Sequence, residues 1–230
     1  MSKFLILNHK MNLEYDGVYP YINELNNISS AHNIIVCPSN LYLIDFINHC
    51  NWGVGAQNVH EKKCGNYTGE VSSLQLKSMG IEYSIVGHYE RKKYFQETKE
   101  QVREKLEACL DSNISPILCF GETGQDKDIL NDLDILLEKI TNIDFIIFAY
   151  EPIYAIGTGT LPNKEKIKEI ITFIKEYLEE KFKTKPRILY GGSVDSGNIE
   201  DILNIDIVDG ILLGDLSSNI KEVERIINKI

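Results

Sequence analysis

Eight short apolar blocks, each followed by a stretch long enough for a crossover, run through this chain of 230 residues. The blocks are Phe4–Leu7, Ile34–Cys37, Gly53–Ala56, Tyr83–Val86, Ile117–Phe120, Phe145–Ala149, Arg187–Tyr190 and Val208–Leu213. Several are continuous β-branched or leucine-rich runs, not alternating ones. Such runs belong to strands buried on both faces, as in parallel sheets. Between them, apolar residues fall at helical spacing. Ile167, Ile170, Ile171, Ile174 and Leu178 make one stripe, with Lys and Glu on the opposite face. Similar patterns predict helices over Glu97–Leu110, Asp128–Ile140, Asp195–Leu203 and Ser218–Lys229.

Strictly alternating β and α units require parallel strands with helical crossovers. Eight units close a (β/α)8 barrel, which fits this length. An open doubly wound sheet has the same periodicity and stays an alternative at this level. No Pro/Gly/Ser-rich linker divides the chain, so residues 1–230 read as one α/β barrel domain.

Composition narrows the partners. Lys+Arg number 24 against 34 Asp+Glu, a net charge of −10, which argues against nucleic acid or anionic membrane as the main partner. A small anionic ligand remains compatible, because a few local cations and amides override net charge. Cys37, Cys50, Cys64, Cys109 and Cys119 form no C-x-x-C pair and no metal-ligand cluster. The apolar run Phe4–Leu7 is too short for a signal peptide, and no stretch approaches a membrane span. Reduced thiols in a cytoplasm are the expectation.

Barrels carry their reactive groups just beyond the strand C-terminal ends. After the first strand stand Asn8, His9 and Lys10, a lysine able either to face the mouth or merely to cap a strand. After the fourth, His88 follows Gly87, with Glu90 and Arg91 close behind. A neutral imidazole there could donate to a carbonyl oxygen, or be satisfied by backbone groups. After the sixth comes Glu151, whose apolar surroundings would raise its pKa toward that of a useful base. It could equally be a salt-bridge partner. The segment between Pro152 and Pro162, with Gly157 and Gly159 inside it, reads as a lid. After the seventh and eighth strands, Gly191-Gly192-Ser193 and Gly214-Asp215 suggest glycine-rich phosphate turns.

Taken together, Asn8-x-Lys10-Met11-Asn12, Gly87-His88-x-Glu90-Arg91, Ala149-Tyr150-Glu151-Pro152 with Ala155-Ile156-Gly157-Thr158-Gly159, and Tyr190-Gly191-Gly192-Ser193-Val194 closely resemble the signatures of the triosephosphate isomerase family, whose fold is the TIM barrel. The resemblance runs from residue 4 to about residue 217, in order and spacing as well as letters. It implies interconversion of dihydroxyacetone phosphate and D-glyceraldehyde 3-phosphate through an enediolate, in glycolysis and gluconeogenesis, with no cofactor and no metal. It implies Glu151 as base, His88 as neutral electrophile, Lys10 as the positive charge near the substrate oxygens, and Asn8 as an orienting group. Glu90 resembles the acid that holds the lysine. Backbone N–H groups of Gly157, Ser193, Gly214 and Asp215 would bind the phosphate. Thr68, beside Tyr67, resembles a loop tip that docks into the partner of a homodimer. Cys119 and Glu122 match a family segment near the base.

Four positions depart from the family's usual letters. Tyr89 replaces Ser beside the histidine, and Asp215 replaces a second Gly. Tyr154 replaces Trp in the lid hinge, and His9 replaces Trp between Asn8 and Lys10. The chain is also about 20 residues shorter than is typical of the fold. A carboxylate ~4 Å from a phosphate would be repelled by about 1 kcal/mol in water and more in a drier site. The Asp215 side chain is therefore expected to turn to solvent or to a nearby cation.

The chemistry leaves two competitors. A Schiff-base aldolase would need a lysine deep in the barrel, whereas strand six offers Glu151. A non-catalytic binding protein on the same fold would explain Tyr89 and Asp215 but not an intact base and electrophile.

Overall fold

Successive side chains of a strand point to opposite faces, and in this chain both faces are dry. The computed structural model describes residues 2–121, 128–153 and 163–229. Its strands are β1 (Phe4–Asn8), β2 (Asn33–Cys37), β3 (Gly53–Ala56), β4 (Tyr83–Val86), β5 (Ser115–Phe120), β6 (Ile147–Tyr150), β7 (Arg187–Tyr190) and β8 (Gly210–Leu213). Each pairs in parallel with its sequence neighbours, and β8 returns to β1 to close the barrel. Closure excludes the open doubly wound sheet.

Two apolar layers follow from the strand alternation. Ile6, Ile35, Ile85, Ile117, Ile147 and Leu189 fill the barrel interior. Their neighbours, such as Leu5, Leu7, Leu118 and Phe148, face outward into the layer between barrel and helices. This is why the blocks are continuous in sequence: neither face meets water.

The helices are α1 (Tyr15–Asn26), α2 (Leu43–His49), α3 (Ser73–Ser78), α4 (Tyr89–Phe95), α5 (Lys99–Asp111), α6 (Asp128–Leu136), α7 (Lys164–Phe182), α8 (Ile199–Leu203) and α9 (Ile220–Ile227). All five residues of the stripe on α7 are buried, and Asn163 caps its start by accepting from the Glu165 N–H at 2.8 Å.

Several boundaries move, for local reasons. The predicted Glu97–Leu110 helix starts two residues later, because Thr98 and Gln101 form a reciprocal capping box. That leaves Glu97 outside the helix, free to turn inward. The predicted start at Asp195 fails because its carboxylate accepts from the N–H groups of Gly197 and Asn198. This Asx-type turn delays α8 until Ile199. Ser218 ends a 3-10 turn, Asp215–Ser218, and Asn219 caps α9 instead. The α6 helix stops at Leu136, short of Ile140. Phe145 lies before β6 and is exposed, while β8 begins at Gly210 and not at Val208.

His9 takes an aromatic position in the outer layer. Its ring meets Tyr21 edge-on at 4.6 Å and Phe46 at 5.6 Å. Among the described residues neither ring nitrogen has a hydrogen-bond partner, and burial pushes its pKa down to about 3. It packs as a neutral ring.

Candidate active site

The mouth at the strand C-terminal ends gathers side chains from β1, β4 and β6. β1 ends in Asn8, 4% exposed, whose Oδ1 accepts from the Lys10 N–H at 3.3 Å. Lys10 itself sits at φ +52, a conformation that costs a non-glycine residue free energy and is held by its surroundings. Part of that hold comes from Gln57, which donates to the carbonyls of Lys10 at 2.9 Å and Cys37 at 3.0 Å. The Lys10 ammonium lies 2.9 Å from Glu90 Oε1 and 2.8 Å from Asp215 Oδ1. Burial pushes this ammonium toward deprotonation, but hydrogen bonds to Asp215 and Glu90 outweigh it and hold its pKa above the ordinary value.

Beyond β4, Gly87 turns the chain at φ +73, where any side chain would also strike Val102 at 2.8 Å. That turn delivers His88 to the first position before α4. His88 Nδ1 accepts from the Glu90 N–H at 3.4 Å, so His88 caps this helical turn. The Glu90 carboxylate is 3.6 Å from the same nitrogen, beyond hydrogen-bond length. A nitrogen that accepts carries no proton. The ring proton of the neutral imidazole then lies on Nε2, the nitrogen that faces Glu151.

Glu151 follows β6, and its side chain is only 2% exposed. Its Oε2 accepts from the Tyr89 N–H at 3.1 Å. Its Oε1 lies 3.2 Å from His88 Nε2. Among the described residues that oxygen has no hydrogen-bond partner. Burial raises the Glu151 pKa, and the opposing pull of His88, Lys92 and the Tyr89 N–H does not cancel it. A buried carboxylate with one unpaired oxygen and a raised pKa is equipped to take a proton. Gly121 is part of the reason it sits there. A Cβ on Gly121 would fall 1.7 Å from the Glu151 carbonyl oxygen, so the two backbones can meet only at glycine.

A cleft of about 280 Å³ is lined by Lys10, His88, Glu151, Gly192, Ser193 and Gly214. It therefore unites the expected base, imidazole and lysine with both glycine-rich turns. Asn8 and Asp215 line it too, and Glu90 reaches it through Lys10. A larger cavity, about 430 Å³, lies by the 60–78 segment and contains neither the base nor the imidazole. Tyr67 and Thr68 are on that outer segment, both exposed. Gly157, Tyr154 and Glu122 lie outside the described residues. Cys119 is buried, and burial, then the Glu151 charge, drive its thiol far above the ordinary range. It is a packed wall of the base site rather than a nucleophile.

Two contributors carry no motif letters and were not predicted. Gln57 stands directly after β3, and the rule that barrels place ligand groups after strand ends would have flagged it. Lys92, within the basic run Arg91–Lys93, reads as helix surface. Its ammonium instead lies 3.4 Å from the Cys119 carbonyl and pulls on Glu151. Gly121 stands within the family segment that holds Cys119 and Glu122, but its role, to have no side chain beside the Glu151 backbone, has no local signature.

The family profile described as Triosephosphate isomerase matches residues 3–230. Among similar curated proteins, the triosephosphate isomerase of Alkaliphilus oremlandii (strain OhILAs) is 38% identical, over 96% of this chain and 96% of its own. That of Francisella tularensis subsp. mediasiatica (strain FSC147) is 34% identical over 100% and 97%. That of Thermodesulfovibrio yellowstonii (strain ATCC 51303 / DSM 11347 / YP87) is 35% identical over 94% of each. Matches of this extent join the geometry of the mouth to a shared ancestry, and the chain belongs to the triosephosphate isomerase family.

Proposed function

We propose that this chain interconverts dihydroxyacetone phosphate and D-glyceraldehyde 3-phosphate, a step of glycolysis and gluconeogenesis. The observation that carries the reading is the desolvated Glu151 carboxylate, with an unpaired oxygen 3.2 Å from the Nε2 of a helix-capping histidine. Glu151 takes a proton from the carbon beside the carbonyl. The bond electrons move to the carbonyl oxygen, where His88 Nε2–H donates to the developing enediolate. The proton of the neighbouring hydroxyl passes to that oxygen by way of the imidazole Nε2, and as the vacated oxygen becomes the new carbonyl, Glu151 delivers its proton to the former carbonyl carbon. Lys10 adds positive charge near the substrate oxygens, and Asn8 and Glu90 hold it in place. The phosphate would rest on backbone N–H groups of Ser193, Gly214 and Asp215, with Gly157 joining from the lid. A closed lid would keep water from the enediolate, which otherwise expels phosphate. A coupled assay for triose phosphate interconversion tests the reading, and absence of turnover with either triose phosphate would overturn it.

The reading extends to a cytoplasmic homodimer. All five cysteines are free thiols, as a reducing compartment allows. No helix among the described residues is long and apolar enough to cross a membrane. A cleft of about 340 Å³ beside Lys10, lined by Met11, Gln57, Glu70 and Phe95, is suited to receive the loop carrying Tyr67 and Thr68 from a second copy. Met11 is 95% and Phe95 65% exposed in the single chain, apolar area that a partner would cover. Thr68→Arg should place a bulky charge in that contact and raise the monomer fraction. Sedimentation showing a parent that stays monomeric at high micromolar concentration would refute the dimer.

A further inference from the structure

Lys10 is not waiting unpaired for an anion. Its ammonium lies between two carboxylates, 2.9 Å from Glu90 Oε1 and 2.8 Å from Asp215 Oδ1, so the three-residue cluster carries a net charge of −1. The two carboxylates differ in freedom. The Glu90 side chain is 30% exposed and belongs to α4, whereas the Asp215 side chain is 75% exposed and begins the 3-10 turn after β8. Asp215 can leave for water at small cost, whereas the less exposed Glu90 carboxylate has less water to turn to.

The reach from Asp215 to Lys10 is also prepared by the backbone. A Cβ on Gly214 would lie 3.3 Å from Lys10 Cε and 3.4 Å from Nζ. The lysine side chain therefore passes over bare backbone, one residue before the carboxylate that holds it. This same turn lines the cleft with Gly192 and Ser193. An incoming phosphate and the Asp215 carboxylate thus seek the same cation from the same turn.

We propose that Asp215 is a specificity-determining residue: an internal anion that occupies Lys10 in the free enzyme and competes with the anionic group of the ligand. This inference rests on the triose phosphate reading above. Binding of an anion shifts Lys10 from Asp215 to the ligand, and Asp215 swings outward. The competition is intramolecular, so it acts at every ligand concentration and weakens the apparent affinity by a constant factor. It also flattens the response to salt. In the parent, screening weakens both the internal pair and the pair with ligand, and the two changes partly cancel.

The test uses the full chain and three variants, with inorganic phosphate as the competing probe. Asp215→Asn should lower both the KM for triose phosphate and the inhibition constant of inorganic phosphate about three- to tenfold, with kcat moving less than KM. Its KM should rise more steeply with ionic strength than that of the parent. Asp215→Gly should behave like Asp215→Asn, which guards against a folding defect in either one. Asp215→Glu, which still reaches Lys10, should return KM and the salt slope toward the parent. A parent that isomerises triose phosphates while Asp215→Asn and Asp215→Gly leave KM, phosphate inhibition and salt slope unchanged overturns the role of Asp215 alone. A parent without isomerase activity overturns the reading it rests on, and this proposal with it.

Discussion

Two glutamates lie equally deep in this molecule, and they are held in opposite ways. The side chains of Glu151 and Glu97 are 2% and 3% exposed. Glu97 gives its Oε1 to two cations, the Lys105 ammonium and Arg91 Nε, the latter at 3.3 Å. Lys105 is fixed in turn by Asn58 at 2.9 Å. Glu151 receives one backbone N–H on Oε2 and turns Oε1 to an imidazole, with no lysine or arginine in contact among the described residues; each glutamate keeps one oxygen without a hydrogen-bond partner among them. Burial alone does not make a base. It makes one only where the opposite charge is withheld, so that desolvation outweighs the neighbouring attractions, as it does at Glu151. Where cations are supplied at contact distance, the same side chain becomes a tether between α4 and α5.

The sharpest way to break this contrast is Glu151→Gln. The variant should lose at least about a thousandfold in turnover, because the proton acceptor disappears without a change of shape. Its stability should move the other way. A carboxyl whose pKa is raised by folding favours the fold when protonated, and that contribution is lost as pH rises through its folded-state value. The glutamine variant has no such loss, so its melting temperature should gain on the parent's between acid and neutral pH. Parent-like turnover would sink the assignment of the base.

Glu97→Ala should reverse the pattern. Removing one partner leaves the Lys105 ammonium buried and uncompensated, at a cost of ~3–5 kcal/mol of stability in denaturant unfolding. Turnover per folded molecule should fall far less than in Glu151→Gln. Replacing the pair together, with Glu97→Leu and Lys105→Met, should recover much of the lost stability. A Glu97→Ala protein as stable as the parent would show that the pair is no tether.

The smallest effect sharpens the electrostatics of the base. Lys92 attracts the ionised form of Glu151. In Lys92→Met the Glu151 pKa should rise further, moving the acid limb of kcat/KM to higher pH by less than about one unit. A shift to lower pH would contradict the sign of this contact.

The expected lysine, histidine and glutamate were visible because barrel sites follow strand ends, and strand ends follow a local apolar pattern. The chemistry at Asp215 was visible only in outline. Repulsion from a phosphate predicts that its carboxylate turns toward solvent or a cation, but the cation is Lys10, the one the ligand needs. Asp195 shows the converse limit. A helix cap and an Asx-type turn favour the same residue type, and only the chain's path beyond β7 selected the turn.

From the sequence alone come the eight buried strands, the amphipathic stripe of α7 and the residue that ends six of the strands, β1 and β6 each running one residue further, to Asn8 and Tyr150. These depend on neighbours within a few positions, and the pattern of burial is written into them. The pairing of His88 with Glu151, the clasp of Lys10 by Asp215 and the closeness of Gly121 to the Glu151 backbone came only with barrel closure. Alignment of Val86 with Leu118, and of Phe120 with Tyr150, brings the ends of β4 and β6 together, and Leu7 beside Leu213 joins the first strand to the last. Contacts between residues so far apart in the chain leave no local signature, because the free energy that secures them is spread over the whole apolar shell.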